Sequence, residues 1–432
     1  MSTGLWTLAG VLVTLLLLRA PIGLAMLCGG IAYLGVTGQD MGLAAEQVLG
    51  GLMGGYVLLA VPLFIFAANL MNAGTVSERL FALSHLLVGR WRGGLAQVDI
   101  LVSVIFSGMS GSAIADAAGP GLVTLKQMLA KPHYTPGFAG AVVVASATIG
   151  PIIPPSIPMV IYALVSGTSV GALFLGGVVP GLLMAGLLML GVHIIATRRQ
   201  IPLEPPVPQA QRAGMLWRGL LPLSLPGVLL GGIYSGAFTP TEAAAVAALH
   251  ALLLAWFYKA LSPKILYAVM LETVRASTVV TLIIAAAYLM NYALTAEGMP
   301  AQLANWVMGL QLAPWQFLLL VNGLFLALGC LLDVSVMLLV IVPMLVPAAR
   351  ALGIDLVHFG VVAVVNMMIG MVHPPFGMLL FVTNALSGIP VRDMVREGWL
   401  FLVMLLVALA LITFVPSLVL WLPQSMGYVT GG

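Results

Sequence analysis

Apolar residues occur in long runs along this chain, and the polar residues are gathered in short stretches between them. The runs at 6–18, 22–36, 170–196 and 400–422 approach the ~20 residues that a helix needs to cross a bilayer. Only helices and closed barrels span lipid, so the pattern predicts an all-α polytopic membrane protein. We expect crossings near 5–18, 21–37, 55–73, 137–166, 170–196, 219–236, 240–259, 277–294, 357–386 and 398–421. The segment 5–37 crosses once or twice, depending on whether residues 19–21 form a kink or a turn.

Two further apolar regions, 95–130 and 316–349, are too long to be ordinary crossings. A straight helix of either length would measure roughly 50 Å, against a hydrocarbon core of about 30 Å. Small and polar residues interrupt both near the middle, in the sequences FSGMSGSAIAD and GCLLDVS. We therefore predict two re-entrant helical hairpins with tips at membrane depth. The segments that precede them, 77–89 and 300–310, are predicted to be interfacial helices that join a scaffold to a moving part.

The chain contains an internal repeat. FAANLMN at 66–72 returns as AAAYLMN at 285–291, and IGPIIPP at 149–155 returns as IGMVHPP at 369–375. Asp116 is followed at a similar spacing by Asp333, and a Pro-rich linker at 200–214 divides the chain into halves 1–199 and 215–432. The predicted crossings run in opposite directions at the matching motifs, so the repeat is inverted. Inverted repeats with paired broken helices are typical of secondary transporters whose site lies near the midplane.

Composition and charge agree with a membrane protein. Hydrophobic residues make up 61% of the chain and charged residues 7%, whereas a soluble domain averages about 25% charged. The net charge of +3 is too small to indicate nucleic acid as a partner. Cys28 and Cys330 lie far apart with no metal-binding spacing, so we interpret them as buried structural thiols and expect no cofactor.

The distribution of basic residues orients the chain. With the N-terminus outside, every Lys and Arg except Arg350 falls on the inner side, as the positive-inside rule requires. Both termini are then predicted to be external. The first hairpin, 95–130, would enter from the cytoplasm, and the second, 316–349, from the opposite side.

Candidate chemistry is concentrated at the tip of the first hairpin. Ser107, Ser110, Gly111 and Ser112 interrupt the helix where no water would otherwise satisfy its backbone. Freed carbonyls there can ligate a hard cation, and amides at the start of the next half-helix favour an anion. Small residues also permit close helix packing in membranes. A broken helix in each repeat favours the binding site over that alternative.

Asp116 and Asp333 are the acids that we place deep in the core, where ionised groups are costly and usually functional. Their similar positions in the two halves predict one acidic ligand per repeat, for Na⁺ or for a proton. The alternative is a pair of acids buried for structure alone.

The two IGxxxPP segments are predicted to break their helices inside the membrane. Each proline removes a backbone donor, which leaves carbonyls free to bind Na⁺ together with the Ser156 hydroxyl. His373 stands in the second segment where the first has Ile153. It could bind substrate or titrate with the coupling ion, although a lone histidine is more often a packed, hydrogen-bonded residue.

A structural motif is visible at 238–248, FTPTEAAAVAA. Thr239 and Glu242 have the spacing of a capping box, and Pro240 occupies the first helical position. We expect a helix to begin here, at the outer surface.

The motifs FTPTEAAAVAAL, IGPIIPPSIPMVIY, SGSAIADAAGPG, VPLFIFAANLMNAG and LGIDLVHFGVVAVVNMMIGMVHPPFG resemble those of the large membrane subunit of TRAP transporters, the tripartite ATP-independent periplasmic family of DctM type. The resemblance covers nearly the whole chain. It implies a Na⁺-driven, elevator-type importer of organic acids in the bacterial inner membrane, where the termini that we predict to be external would be periplasmic. It also implies a periplasmic substrate-binding protein and a small four-helix membrane subunit, which we expect to be a separate chain.

The resemblance also implies which residues form the sites. The substrate site would use Ser110, Gly111, Ser112, Ser156 and Ser335, to which we add His373 because of its position in the second break. The Na⁺ sites would use Ser110, Asp116, Gly150, Pro154, Pro155, Gly329, Asp333, Gly370, Pro374 and Pro375. The family usually has Thr where this chain has His373, so that departure puts one ion ligand or the ligand preference in doubt.

Other functions remain as alternatives. A stand-alone Na⁺- or H⁺-coupled carboxylate symporter of the divalent-anion type would need no binding protein. An intramembrane hydrolase is disfavoured because the sequence offers no GxSxG-like or HExxH spacing. The sequence does not choose among C4-dicarboxylates, sialic acid, keto acids and sugar acids.

Overall fold

The computed structural model describes residues 2–73 and 76–428, and within these ranges it contains helices and no β-strand. Seven helical segments are long and apolar enough to cross a membrane, as expected of an all-α polytopic membrane protein. Gly74 of the VPLFIFAANLMNAG motif and the predicted external C-terminal end, 429–432, lie outside the described residues.

The helices follow the order that the hydrophobic pattern predicts. In the first half they are α1 (Thr3–Leu17), α2 (Ile22–Thr37), α3 (Gly42–Met53), α4 (Ala60–Ala73), α5 (Val76–Val88), α6 (Gly94–Ser110), α7 (Ala113–Ala118), α8 (Pro120–Leu129), α9 (Pro136–Ser146), α10 (Ile157–Ser166) and α11 (Val170–Arg198). In the second half they are α12 (Gln209–Tyr234), α13 (Pro240–Phe257), α14 (Pro263–Ala296), α15 (Met299–Gly309), α16 (Pro314–Gly329), α17 (Val334–Val336), α18 (Val342–Ala351), α19 (Leu356–Gly370), α20 (Met378–Ser387), α21 (Val391–Phe414) and α22 (Ser417–Ser425).

Capping residues followed by proline set several of the helix starts. Thr135 accepts a hydrogen bond from the Phe138 amide ahead of α9, and Ser262 accepts one from the Ile265 amide ahead of α14. The capping box predicted at Thr239 is confirmed at the start of α13. A proline costs nothing at these positions because its missing N–H would have no partner inside the helix.

Several predicted boundaries are wrong, and hydropathy explains why. It marks only the part of a helix that suits the hydrocarbon core, so polar turns at the ends are lost. The crossing expected at 277–294 begins at Pro263, and the linker expected at 200–214 ends where α12 begins at Gln209. Helix α3 was missed, and the crossing expected at 398–421 is interrupted after Phe414. The cysteines are not deeply buried: Cys28 is exposed and Cys330 is half-buried.

The segment 5–37 forms two helices joined by a turn. Arg19 adopts a left-handed backbone conformation in this turn. Gly4 then lies against Tyr33 and Gly29 against Leu8, so α1 and α2 pack as an antiparallel pair.

The repeat predicted from the motifs is present in the packing. By the offset of the repeat, α2 matches α13 and α4 matches α14. Helix α2 of the first half packs against α14 of the second, and α13 of the second half packs against α4 of the first. Each pair of matching helices therefore makes the same contact across the two halves. Gly51 lies against the Tyr288 ring, and further along the chain Asn69 donates a hydrogen bond of 3.0 Å to the Thr273 hydroxyl. The chain through α3 and α4 therefore runs opposite to α14, which carries the matching motif. This antiparallel arrangement is what the predicted inverted repeat requires of its matching helices.

Both predicted hairpins are interrupted helices, but they are not alike. In the first hairpin, α6 and the return arm α7–α8 pack against each other beyond a turn at Gly111. In the second, α16 contacts its return arm mainly through a π-helical turn at Met337–Ile341, and packs more extensively against α19. The helices expected before the hairpins are α5 and α15, and each packs against the last part of the hairpin that follows it.

Candidate functional site

The first break lies within the protein interior. A short 3-10 turn, Ala147–Ile149, ends the first half-helix, and Ser156 caps α10 by accepting a hydrogen bond of 3.2 Å from the Met159 amide. The Ser156 hydroxyl also donates to the carbonyl of Pro151. Pro154 and Pro155 are joined by a cis peptide bond, and every residue from Ala147 to Ser156 is buried.

The tip of the first hairpin contacts this break directly. Gly111 has a φ of +60°, and a Cβ atom there would lie 2.3 Å from the Pro155 carbonyl oxygen. A Cβ on Gly150 would lie 3.4 Å from the Ser112 carbonyl oxygen. Position 111 requires glycine because no side chain could fit between the backbone of the hairpin tip and the backbone of the break. The arrangement brings carbonyl groups from the tip and from the break into one buried region.

The second break makes the corresponding contact with the second hairpin. A Cβ on Gly370 would lie 2.7 Å from the Cα of Gly329, so the two backbones touch where the half-helices end. The chain then turns through Pro374 and Pro375, again joined by a cis peptide bond. Unlike the first break, this one is partly open: His373 and Pro374 are half-buried, and Pro375 is exposed.

The two half-sites adjoin each other. Helix α10, which follows the first break, packs against α17 and α18 of the second hairpin. Helix α20, which follows the second break, packs against α7 of the first hairpin. The Tyr162 hydroxyl on α10 also donates a hydrogen bond of 2.6 Å to the Leu356 carbonyl at the start of α19. The structure therefore brings both tips and both breaks into one central region.

Three of the predicted residues of the first tip differ in their bonding: Ser110 and Asp116 are buried, and Ser112 is half-buried. Ser110 is fully buried, and its hydroxyl has no hydrogen-bond partner among the described residues. Ser112 caps α7 by accepting a hydrogen bond from the Ala115 amide. Asp116 is 1% exposed, and neither of its carboxylate oxygens has a hydrogen-bond partner in the described chain.

The prediction that Asp333 is deeply buried is wrong. Asp333 is half-buried and serves as the N-cap of α17, accepting a hydrogen bond of 2.8 Å from the Ser335 amide. It corresponds to Ser112, the cap of α7, and not to Asp116, which lies in the first turn of that helix. The caps Ser112 and Asp333 are 221 positions apart, against 219 to 220 for the repeated motifs, because the turn between the hairpin arms is longer in the second repeat. His373 is half-buried, and its Nδ1 atom is buried without a described hydrogen-bond partner.

The sequence prediction missed polar residues behind the tips. Asp99 is 1% exposed, so Asp116 is not the only acid in the core of the first half. Its carboxylate accepts hydrogen bonds from the Thr124 hydroxyl and, at 2.6 Å, from the Ser146 hydroxyl. Asp99 lies early in the apolar run of the first hairpin, and its position inside that run was the available signal.

Asparagines of the repeated LMN motif were also missed. Asn72 donates to the Ala115 carbonyl at 3.3 Å, and Asn291 donates to the Leu339 carbonyl at 2.8 Å. Each of these asparagines therefore ties a long helix to the return arm of the hairpin in its own half. The recurrence of LMN at matching positions could have predicted this shared role.

Comparison with known proteins agrees with this architecture. Residues 9–418 match the family model described as the tripartite ATP-independent periplasmic transporter, DctM component. The chain is 40% identical to the sialic acid TRAP transporter large permease protein SiaM of Vibrio cholerae, over 96% of this chain and 97% of that protein. It is 40% identical to the C4-dicarboxylate TRAP transporter large permease protein DctM of Pseudomonas aeruginosa, over 86% and 87%.

A solved structure resembles the fold. The YdaH transporter of Alcanivorax borkumensis superimposes with a TM-score of 0.60, covering 85% of this chain and 86% of that chain. The sequence identity of this pair is 16%, so the likeness concerns the fold alone.

Proposed function

We propose that this chain, which belongs to the DctM component family of tripartite ATP-independent periplasmic transporters, imports an organic acid across the bacterial inner membrane in symport with Na⁺. It is a transporter subunit and not an enzyme, since its relatives are named as permease proteins. The observation that carries the proposal is the central region in which two hairpin tips meet two proline breaks.

The chemistry of the central region favours Na⁺ and a carboxylate. Half-helices that end inside the membrane leave carbonyls, and Na⁺ as a hard cation takes oxygen ligands of this kind. We propose that the ion ligands come from Ser110, Asp116, Gly150, Pro154, Pro155, Gly329, Asp333, Gly370, Pro374 and Pro375. The amides and hydroxyls at the starts of α7, α10 and α17 favour the anionic substrate. We propose Ser110, Gly111, Ser112, Ser156, Ser335 and His373 for that role.

The packing suits an elevator mechanism. Helices α2, α4, α13 and α14 exchange partners between the halves and form the proposed scaffold. The hairpins and broken helices form the proposed moving part, to which α5 and α15 connect the scaffold. Alternating access then requires one rigid movement of the central region across the membrane, with both termini on the periplasmic side.

The relatives suggest the substrate class and the partners. Their names specify sialic acid and C4-dicarboxylates, which share a carboxylate group. We propose that a periplasmic binding protein delivers such an acid and that a small four-helix membrane subunit supports the scaffold. The cognate binding protein would select the acid, because hydroxyls and backbone groups at the central region recognise a carboxylate without specifying the rest of the molecule.

Reconstitution tests the proposal. The full chain is placed in proteoliposomes with and without the small subunit and the binding protein, and uptake of the acid retained by that binding protein is followed. We expect uptake only with all components and an inward Na⁺ gradient. Equal uptake by the chain alone would favour the stand-alone carboxylate symporter. Undiminished uptake without Na⁺ under a pH gradient would mean that protons, and not Na⁺, drive the transport.

A further inference from the structure

A polar cavity lies between the end of α5, the segment 200–208 and the first turn of α12. It measures about 210 Å³, which is room for a phosphate group. The residues that line it are His85, Leu86, Arg90, Pro205, Val207 and Arg212. Three of these side chains can donate hydrogen bonds to an anion, and no acidic residue of the described chain is among them. None of the six belongs to the central region.

The arginines of this cavity have no acidic partner. One unpaired arginine is ordinary at a protein surface, but two beside one cavity concentrate positive charge there. No described Asp or Glu forms an ion pair with Arg90 or Arg212. The Arg212 Nε atom donates to the Val207 carbonyl at 3.0 Å, which uses one of the five N–H groups of the guanidinium. Glu204, which precedes the cavity-lining proline, is buried and pairs with Lys131 at 3.0 Å.

Packing holds the walls of the cavity in place. Helix α12 lies directly against α5, since a Cβ on Gly219 would lie 2.6 Å from the Cβ of Leu83. The ion pair of Lys131 with Glu204 ties the segment 200–208 to the chain that follows α8. A ligand therefore meets a cavity that is already formed, and its binding costs little ordering of the protein.

Exposed apolar side chains beside the cavity favour a lipid as the source of the anion. Leu87 on α5 is 55% exposed, Trp91 is 53% exposed, and Trp217 on α12 is 78% exposed. Tryptophan is enriched where a membrane protein meets the lipid headgroups. The positive-inside rule places this part of the chain on the cytoplasmic side, where basic pockets between helices bind anionic headgroups. A free phosphate ion would need none of these apolar neighbours.

We propose that His85, Arg90 and Arg212 bind the phosphate group of an anionic phospholipid, whose acyl chains would contact the exposed Leu87 and Trp217. The two guanidinium groups pair with phosphate oxygens, and the histidine donates a ring N–H whether or not the ring is charged. The bound lipid would join the end of α5 to the start of α12. It would thus hold at headgroup level one of the two helices that we propose to connect the scaffold with the moving part.

Native mass spectrometry of the purified chain in detergent tests the site. Phosphatidylglycerol, phosphatidylcholine and inorganic phosphate are added separately, and the affinity of each is measured. We expect the unmodified chain to prefer phosphatidylglycerol, because the choline group would place a positive charge beside the arginines. Arg90→Gln together with Arg212→Gln should weaken phosphatidylglycerol binding roughly 30-fold, or about fivefold for each arginine.

Arg392→Gln together with Arg396→Gln is the matched control. It removes two exposed arginines from the side that we predict to be cytoplasmic, and neither of them lines the cavity. We expect this variant to bind phosphatidylglycerol as the unmodified chain does. Equal losses of affinity in the two double variants would show that overall charge, and not the cavity, attracts the lipid, and would overturn the site.

Two further outcomes would also contradict the proposal. Binding of inorganic phosphate without any preference for phosphatidylglycerol would make a free anion the ligand. If the cavity double variant does not fold, Arg90→Gln decides, because the Arg90 side chain forms no hydrogen bond within the described chain. Unchanged affinity for phosphatidylglycerol in that variant, with normal thermal unfolding, would reject the site. Every one of these outcomes leaves the proposed transport function standing, since uptake through the central region is measured separately.

Discussion

The two breaks carry the same sequence pattern but lie in different surroundings. Every residue of the first, from Ala147 to Ser156, is buried beneath the first hairpin, whereas Pro375 in the second is exposed. The first half also buries two acids, Asp99 and Asp116, whereas the second has an amide network between Asn322 and Asn366. The repeated motif thus determines where each helix is broken. The residues around each break determine how much charge lies near it and how exposed it is to its surroundings.

The largest loss of uptake should come from adding a side chain at Gly111, in the tip of the first hairpin. Gly111→Ala places a Cβ 2.3 Å from the Pro155 carbonyl oxygen and also strains a left-handed residue. We expect uptake in proteoliposomes to fall to background, because the tip can no longer seat on the break. Gly388→Ala is the matched control: φ there is +73°, and no atom of the described residues lies within 4 Å of the added Cβ. Equal losses for the two variants would show that backbone strain, and not the tip contact, is responsible.

Replacing Asp116 and Asp333 by asparagine, one at a time, should reduce Na⁺-driven uptake by different amounts. Asp116→Asn removes a buried carboxylate that has no described partner, so we expect Na⁺-driven uptake to fall by about 100-fold, equivalent to ~3 kcal/mol, with stability unchanged or higher. Asp333→Asn keeps a good N-cap, so we expect a several-fold weaker dependence on Na⁺ and little change at saturating Na⁺. Uptake rates across a Na⁺ titration measure both. Unaltered Na⁺ dependence in Asp333→Asn would remove it from the ion site.

Replacing His373, the residue at which the second break departs from the family pattern, should change the KM for the substrate more than the dependence of uptake on Na⁺. His373→Thr introduces the residue usual in the family and removes the buried Nδ1 atom that has no described partner. We expect the KM for the organic acid to change by about tenfold, or ~1.4 kcal/mol, which is near the lower end of the range for one hydrogen bond to a charged group. Uptake is measured first at fixed Na⁺ with varied substrate concentration, and then at fixed substrate with varied Na⁺ concentration. A shift in the Na⁺ dependence alone would assign His373 to the ion site instead.

Periodicity and motif repetition were sufficient to predict most of the fold. The interrupted hairpins follow from the lengths of the apolar runs, and the two breaks follow from the repeated IGxxxPP motif. Helix α3 and the first turns of α14 could not be predicted in this way, because they contain polar residues that hydropathy excludes. Long-range packing decides burial, so Asp99 and Asp333 were placed wrongly although both were visible in the sequence.

The smallest effect concerns a difference between two matching helices of the proposed scaffold, α13 and α2. Helix α13 begins with a capping box at Thr239, whereas α2, which packs on α14 as α13 packs on α4, begins after Pro21 without a side-chain cap. We expect Thr239→Ala to cost ~1 kcal/mol of stability, because an amide at the helix start loses its acceptor, and to leave uptake unchanged. Thr278→Ala is the control, since its hydroxyl bonds only to the carbonyl of Val274 in the same helix. Thermal unfolding in detergent compares the two variants. Reduced uptake in Thr239→Ala at equal stability would mean that the start of α13 takes part in transport, and that this part of the proposed scaffold does more than hold the proposed moving part.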